Sequence, residues 1–112
     1  MKDRMEQLKL YGADIEGTMN RFLNDEDLYI SCFETFLKDE AFAKLGNAIQ
    51  KNDFQSAFDY AHTLKGVAGN MGLTPMYQII SKMVEELRNK HYDSLNEDYQ
   101  LIMEQLTILK LM

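Results

Sequence analysis

Apolar residues recur every three or four positions along most of the 112-residue chain, the spacing of one face of an α-helix. The clearest period runs over residues 54–71, and two more follow over 76–87 and 95–109. Upstream, EDLYISCFETFLKD (residues 26–39) predicts another helix, and FAKLGNAIQ (residues 42–50) predicts a short one. No alternating apolar and polar run bounded by hairpin turns competes with this pattern. We therefore expect an all-α protein.

The strongest turn signal lies between the periods over 54–71 and 76–87. Gly72 directly follows an apolar period, where a left-handed residue at a helix C-terminus favours glycine. Thr74 and Pro75 then offer a capping hydroxyl and a residue with a helical φ. So short a connection predicts a helical hairpin. Further candidates for helix caps are Asp25, Asn52 or Asp53, and Asp93 or Ser94.

Four helices of about 13 to 19 residues with short links favour an antiparallel, up-down four-helix bundle. We expect it to form a single domain over residues 1–112, with shorter helices in GADIEGTMNRF and KDRMEQLKL closing its N-terminal end. A content of 46% hydrophobic and 27% charged residues is ordinary for a globular protein with a core. Cys32, within the apolar LYISCF run, is expected to fill that core.

Charge and hydropathy narrow the function classes. No apolar run approaches the roughly 18 residues that span a bilayer, and the start MKDRMEQLK lacks the apolar block of a secretory signal. We therefore expect a cytoplasmic protein with no membrane partner. The net charge is −6 and no stripe of basic and aromatic residues is present, so we expect no nucleic acid partner. Lys82, Arg88 and Lys90 lie near a predicted helix end, where cations complement the helix dipole.

His62 is predicted to point to solvent from the helix over residues 53–71. At about 100° per residue, it lies roughly a third of a turn from the mean direction of the apolar residues. With one cysteine and only two histidines, the chain offers no cluster of metal ligands. The residues that share the face of His62 are Gln55, Asp59, Gly66 and Gly69, and Lys65 lies toward the boundary with the core.

Two glycines on an exposed helical face need an explanation, because each costs the helix about 1 kcal/mol relative to alanine. Gly66 and Gly69 would leave space beside the imidazole of His62 for another molecule to approach. Lys65 is within reach of a group attached to that ring and can neutralise a phosphoryl group. A neutral imidazole is itself a nucleophile. Alternatively, Gly69 allows a neighbouring helix to pack closely.

The stretch AHTLKGVAGNMGL, residues 61–73, resembles the signature of the histidine-containing phosphotransfer (Hpt) domains of two-component phosphorelays. The family pattern of His-x-x-Lys-Gly, a small-residue stretch and a glycine at the helix end is met by His62, Lys65, Gly66 and Gly72. The spacing of the preceding helices is also similar, whereas the first ten or so residues and the last helix are generic.

The resemblance implies that His62 accepts a phosphoryl group from the aspartyl phosphate of a receiver domain and passes it to another receiver. Lys65 would stabilise the phosphoryl oxygens, and Gly66 would leave room for them and for the docking receiver. We add Gln55, Asp59 and Gly69 as candidates for the docking face. The family implies a phospho-carrier without kinase activity that binds no cofactor, the receiver supplying Mg²⁺. The expected partners are receivers and a sensor or hybrid histidine kinase, and the expected state is a monomer.

Two other hypotheses remain. The glycine-cleared face could dock receivers or helices without accepting phosphate. A dimerising domain of a histidine kinase also presents a histidine on a bundle, but its motif has an acidic residue after the histidine, where this chain has Thr63. The starting methionine hints at a free-standing protein, although the chain could also be cut from a hybrid kinase.

Overall fold

The structure, a computed structural model, describes residues 3–112. Met1 and Lys2 lie outside the described part, and Lys2 is the first residue of the predicted KDRMEQLKL helix. Residues 3–112 contain helices and no strand, which confirms the all-α prediction. The helices are α1 (Arg4–Tyr11), α2 (Ile15–Arg21), α3 (Glu26–Leu37), α4 (Ala41–Gln50), α5 (Phe54–Asn70), α6 (Thr74–Arg88) and α7 (Leu95–Lys110). None of these helices is long and apolar enough to cross a membrane.

The four-helix bundle is formed by α4, α5, α6 and α7. Helix α5 packs between α4 and α6, and α7 contacts both α6 and α4, so the four helices close a ring. Connections of only a few residues make consecutive members antiparallel. The shortest member, α4, has 10 residues and takes the place that the pattern favoured for the longer α3. It can do so because half of its residues, among them Phe42, Leu45 and Ile49, are buried.

Helix α3 packs against α7 outside this ring and buries Tyr29, Phe33 and Phe36. Cys32, on the same helix, is half-buried and packs against the core, as its apolar surroundings predict. The N-terminal helices therefore extend the core of the bundle.

Helix α5 ends in a Schellman motif. Gly72 has φ +71°, its N–H donates to the carbonyl of Gly69 (3.1 Å), and the N–H of Leu73 donates to the carbonyl of Ala68 (3.0 Å). The prediction for Gly72 is thus confirmed. The prediction that Thr74 caps α6 is wrong, because the turn is so tight that Leu73 takes the capping position and no side chain caps the helix.

The starts of α3 and α5 agree with the helix caps predicted from the sequence. The carboxylates of Asp25 and Asp53 cap α3 and α5 by accepting from the N–H groups of Leu28 (3.0 Å) and Ser56 (3.2 Å). The contact with Ser56 lowers the pKa of Asp53. Ser94 precedes α7, but its hydroxyl binds Glu86 instead of capping the helix.

The N-terminal helices hold the C-terminal end of α5. The N–H of Asp14 donates to the carbonyl of Gly72 (2.8 Å), and the hydroxyl of the buried Tyr29 donates to that of Met71 (2.9 Å). Burial raises the pKa of Tyr29 to about 12. Arg21 donates from Nε and Nη2 to the carbonyl of Asn70 (3.2 and 3.1 Å). Carbonyls that a helix end leaves without partners are thereby satisfied.

Candidate functional site

His62 lies near the middle of α5 and is exposed, as predicted. Ala57, Ala61, Leu64 and Ala68 form the buried side of the same helix. The packing of these small and apolar residues against α4 and α6 fixes the rotation of α5 about its axis. The imidazole is therefore directed away from the core by the helix itself.

Gly66, one turn after His62, faces open space. A Cβ built on Gly66 would meet no atom within 4 Å, and the residue is exposed. Packing therefore does not require glycine at this position. The absence of a side chain keeps a clear surface beside the imidazole, as the sequence pattern indicates.

Gly69 has a different role. A Cβ on Gly69 would lie 3.0 Å from Cε2 of Tyr77, a residue of α6. Real Cβ contacts are rarely so short, so glycine lets the Tyr77 ring pack directly on α5. The surroundings of Gly69 thus agree with the alternative explanation, close packing by a neighbouring helix. Its assignment to receiver docking stays a prediction.

An open groove with a volume of about 460 Å³ runs along α5 from His62 toward the helix C-terminus. Two cationic side chains line it, Lys65 from α5 and Arg21 from α2, and no carboxylate does. Among residues 3–112, neither cation has a carboxylate oxygen within 4 Å, unlike Arg4 and Arg88. The full lining is Arg21, His62, Lys65, Gly66, Gly69, Asn70 and Tyr77. The groove is thus a locally positive surface on a chain with net charge −6.

On the other side, the imidazole of His62 stacks against Phe58. The ring centroids are 5.8 Å apart with an interplanar angle of 25°. The guanidinium of Arg88 lies 5.6 Å from the centre of the Phe58 ring and pairs with Glu85. This contact restricts the positions that the imidazole can take.

Gln55 and Asp59 are exposed on the turns before His62, as predicted, but they do not line the groove. The amide of Gln55 donates to a carboxylate oxygen of Asp59 (3.2 Å). Both lie on the N-terminal side of His62, and their assignment to receiver docking stays a prediction.

Two of the three cations of the predicted basic patch, Lys82 and Arg88, lie on α6 and pair with carboxylates of the chain, whereas Lys90 follows the helix and is in no ion pair within residues 3–112. Lys82 pairs with Glu86 and with Asp98 of α7 (2.9 Å), which raises the pKa of Lys82 to about 12. Arg88 lies in the last turn of α6, where the helix dipole favours a cation. The interpretation of the patch as structural is therefore supported for Lys82 and Arg88.

Sequence reasoning missed three residues of the groove: Arg21, Asn70 and Tyr77. Arg21 is 49 positions from Asn70, and no local pattern indicates that they meet. Tyr77 had a weaker signal, because the predicted hairpin places the start of α6 beside the end of α5. Among residues 3–112, no three histidine, cysteine or carboxylate side chains come together in a way that could hold a metal ion.

The fold and the site together define a four-helix bundle that presents a single histidine beside a cationic groove. The family model of the Hpt domain matches residues 33–110, more than half of the chain. The chain therefore belongs to the Hpt domain family, whose members are phosphotransfer carriers in two-component phosphorelays.

Among solved structures, the chain resembles the crystal structure of histidine-containing phosphotransfer protein B (HptB) from Pseudomonas aeruginosa PAO1, with a TM-score of 0.79. The two sequences are 23% identical, and the alignment covers 88% of each chain. At this identity the likeness establishes a shared fold. No curated protein sequence matches this chain.

Proposed function

We propose that the protein is a phosphorelay intermediate in which His62 accepts a phosphoryl group from the aspartyl phosphate of one receiver domain and passes it to another. The observation that carries the proposal is the geometry around His62. An exposed imidazole lies one turn from the uncovered Gly66 and in the same groove as Lys65, whose ammonium has no carboxylate partner within residues 3–112.

The chemical step is a displacement at phosphorus. The lone pair of one imidazole nitrogen of His62 forms the phosphorus–nitrogen bond, while the bond from phosphorus to the aspartyl oxygen breaks and its electron pair returns to the carboxylate. The second ring nitrogen keeps its proton. Transfer to the next receiver reverses these events with a different aspartate. Such reactions depend on alignment and charge neutralisation more than on covalent work by the protein.

Each neighbouring residue supports one requirement of that step. Residues three apart on a helix are neighbours, with Cβ atoms about 5–6 Å apart, so the Lys65 ammonium can reach oxygens of a phosphoryl group on His62. Gly66 leaves room for that group and for the partner that carries it. Phe58 stacks on the imidazole and limits its rotation.

The same proposal covers the partners and the cofactor. The protein would act as a carrier without kinase activity of its own, as a cytoplasmic monomer that meets receiver domains and a sensor or hybrid histidine kinase. It would bind no cofactor, since the receiver would bring the Mg²⁺ that phosphoryl transfer needs.

Incubation with a phosphorylated receiver tests the proposal. The expected product carries acid-labile, alkali-stable phosphate, and mass spectrometry of the peptides should place it on His62. His62→Gln should remove the label. His91→Gln is the matched control, because His91 is the other histidine and is also exposed, in the connection between α6 and α7.

Failure to label the protein with any receiver of a cognate panel would contradict the proposal. If His62→Gln still bound the receiver and left the signalling output unchanged, docking without phosphate transfer would be the better description.

A further inference from the structure

Arg21 differs from the other arginines of the chain. Arg4 pairs with Glu34 and Arg88 with Glu85, whereas within residues 3–112 no carboxylate oxygen lies within 4 Å of Arg21. Arg21 is exposed, yet it is held by the carbonyls of Gly69 (3.3 Å) and Asn70 (3.1 Å) and by the Thr18 hydroxyl (3.1 Å). An exposed cation with a fixed position and no ionic partner is suited to receive an external anion.

The hydrogen bonds of Arg21 leave part of the guanidinium free. Nε and Nη2 donate to the groups on α5 and α2, while no acceptor within residues 3–112 binds Nη1. The side chain also lines the groove that contains His62. Because the planar guanidinium is already oriented, binding an anion would cost Arg21 less side-chain entropy than it would cost a freely moving lysine.

The position of Arg21 shows which kind of anion it could bind. Gly69 lies seven residues after His62, or about 10 Å along the axis at about 1.5 Å per residue. Helical side chains also lean toward the N-terminus, so the imidazole is directed away from Arg21. The guanidinium therefore lies farther along α5 than a phosphoryl group on His62. Arg21 would meet a second anionic group on the same docked partner.

We propose that Arg21 is a docking residue whose free Nη1 binds a carboxylate that a receiver domain presents about 10 Å farther along the axis of α5 than His62. This inference rests on the proposed function. Charge complementarity identifies the occupant: the groove contains Lys65 and Arg21 without any carboxylate, on a chain that otherwise repels acidic surfaces with its net charge of −6.

The test compares second-order rate constants of phosphoryl transfer from a phosphorylated receiver. Arg21→Gln keeps an amide that can donate to the Asn70 carbonyl but loses the charge. We expect transfer about 10-fold slower at low ionic strength, the size of a charge-assisted hydrogen bond, and a deficit that shrinks as salt is added. Lys110→Gln, on α7 across the bundle from α5, removes the same charge and should transfer like the unaltered protein.

A second variant separates docking from a structural role. Arg21→Met lacks both the charge and the donor, so docking predicts the same loss as for Arg21→Gln. A role limited to binding the α5 carbonyls predicts instead that Arg21→Met is impaired and Arg21→Gln is not. Circular dichroism should show both variants folded.

Phosphoramidate, a small phosphoryl donor, provides the readout that does not depend on docking. We expect it to label His62 equally in the unaltered protein and in Arg21→Gln. Equal transfer from the receiver by both proteins at low salt, or a parallel loss with phosphoramidate, would overturn the docking role of Arg21. If neither donor labels the unaltered protein, the proposed function itself fails, so the two failures are distinguishable.

Discussion

Gly66→Ala provides a direct test of why glycine occupies this position. A Cβ at this exposed position would meet no atom within 4 Å, so the substitution introduces no clash. Alanine is favoured over glycine in a helix interior by roughly 0.5–1 kcal/mol, partly because it restricts the unfolded chain. We therefore expect Gly66→Ala to be more stable than the unaltered protein by about that amount.

For a chain of 112 residues, a gain of this size corresponds to a Tm about 2–5 °C higher. Thermal melts followed by circular dichroism at 222 nm, together with urea titrations, would measure it. A lower Tm for Gly66→Ala would refute the reasoning, because it would show that glycine is needed there for folding.

A larger side chain at the same position separates stability from function. Gly66→Leu should also fold, since the surface is open, yet it should slow transfer from a receiver because the side chain occupies the space beside His62. Gln100→Leu, at an exposed position of α7, controls for added apolar surface and should transfer normally. Unchanged transfer by a folded Gly66→Leu protein would show that this clearance is not used.

Three further outcomes follow from the contacts at the end of α5 and from the burial of two tyrosines. Gly72→Ala should cost about 2 kcal/mol or more in urea unfolding, because φ is +71° and the added Cβ would overlap Thr18 Oγ1 and lie 2.6 Å from the Asp14 carbonyl. Tyr29→Phe should lower the free energy of unfolding by about 1–3 kcal/mol at neutral pH, since the Met71 carbonyl loses its hydroxyl donor. Burial raises the pKa of Tyr11 and Tyr29 from 10.0 to about 12, so the unfolded chain releases these protons first and stability should fall as the pH rises from 10 to 12. Absorbance at 295 nm alongside circular dichroism would follow this alkaline loss, and Tyr29→Phe should show less of it.

The features of the site that lie within one helix could be predicted from the sequence. The apolar period of α5 determines which side is buried, and the exposure of His62 and Gly66 follows from their positions in that period. The end of the helix at Gly72 could also be predicted, because only a residue tolerant of positive φ suits the turn.

Features that depend on contacts between distant segments could not be predicted in this way. Three-dimensional packing decides whether α3 or α4 completes the bundle. The greater length of α3 favoured it wrongly, because the shorter α4 takes that place. The capping role expected of Thr74 was also wrong, since a Schellman motif that leads directly into α6 gives the capping position to Leu73. Arg21 carries no local signal, because its partners are the carbonyls of Gly69 and Asn70 on another helix.

Residues before the family match contribute directly to the site. The match begins at residue 33, yet Arg21 donates to the carbonyls of Gly69 and Asn70 at the end of α5. Tyr29 and Asp14 donate to the carbonyls of Met71 and Gly72 just beyond it. The carbonyls of Gly69 and Asn70 belong to the negative end of the helix dipole, and both residues line the groove that contains His62. Left without donors, they would repel the anionic group that the groove is proposed to receive. The N-terminal helices thus stabilise the end of the histidine helix and, through Arg21, change the charge of that end of the groove.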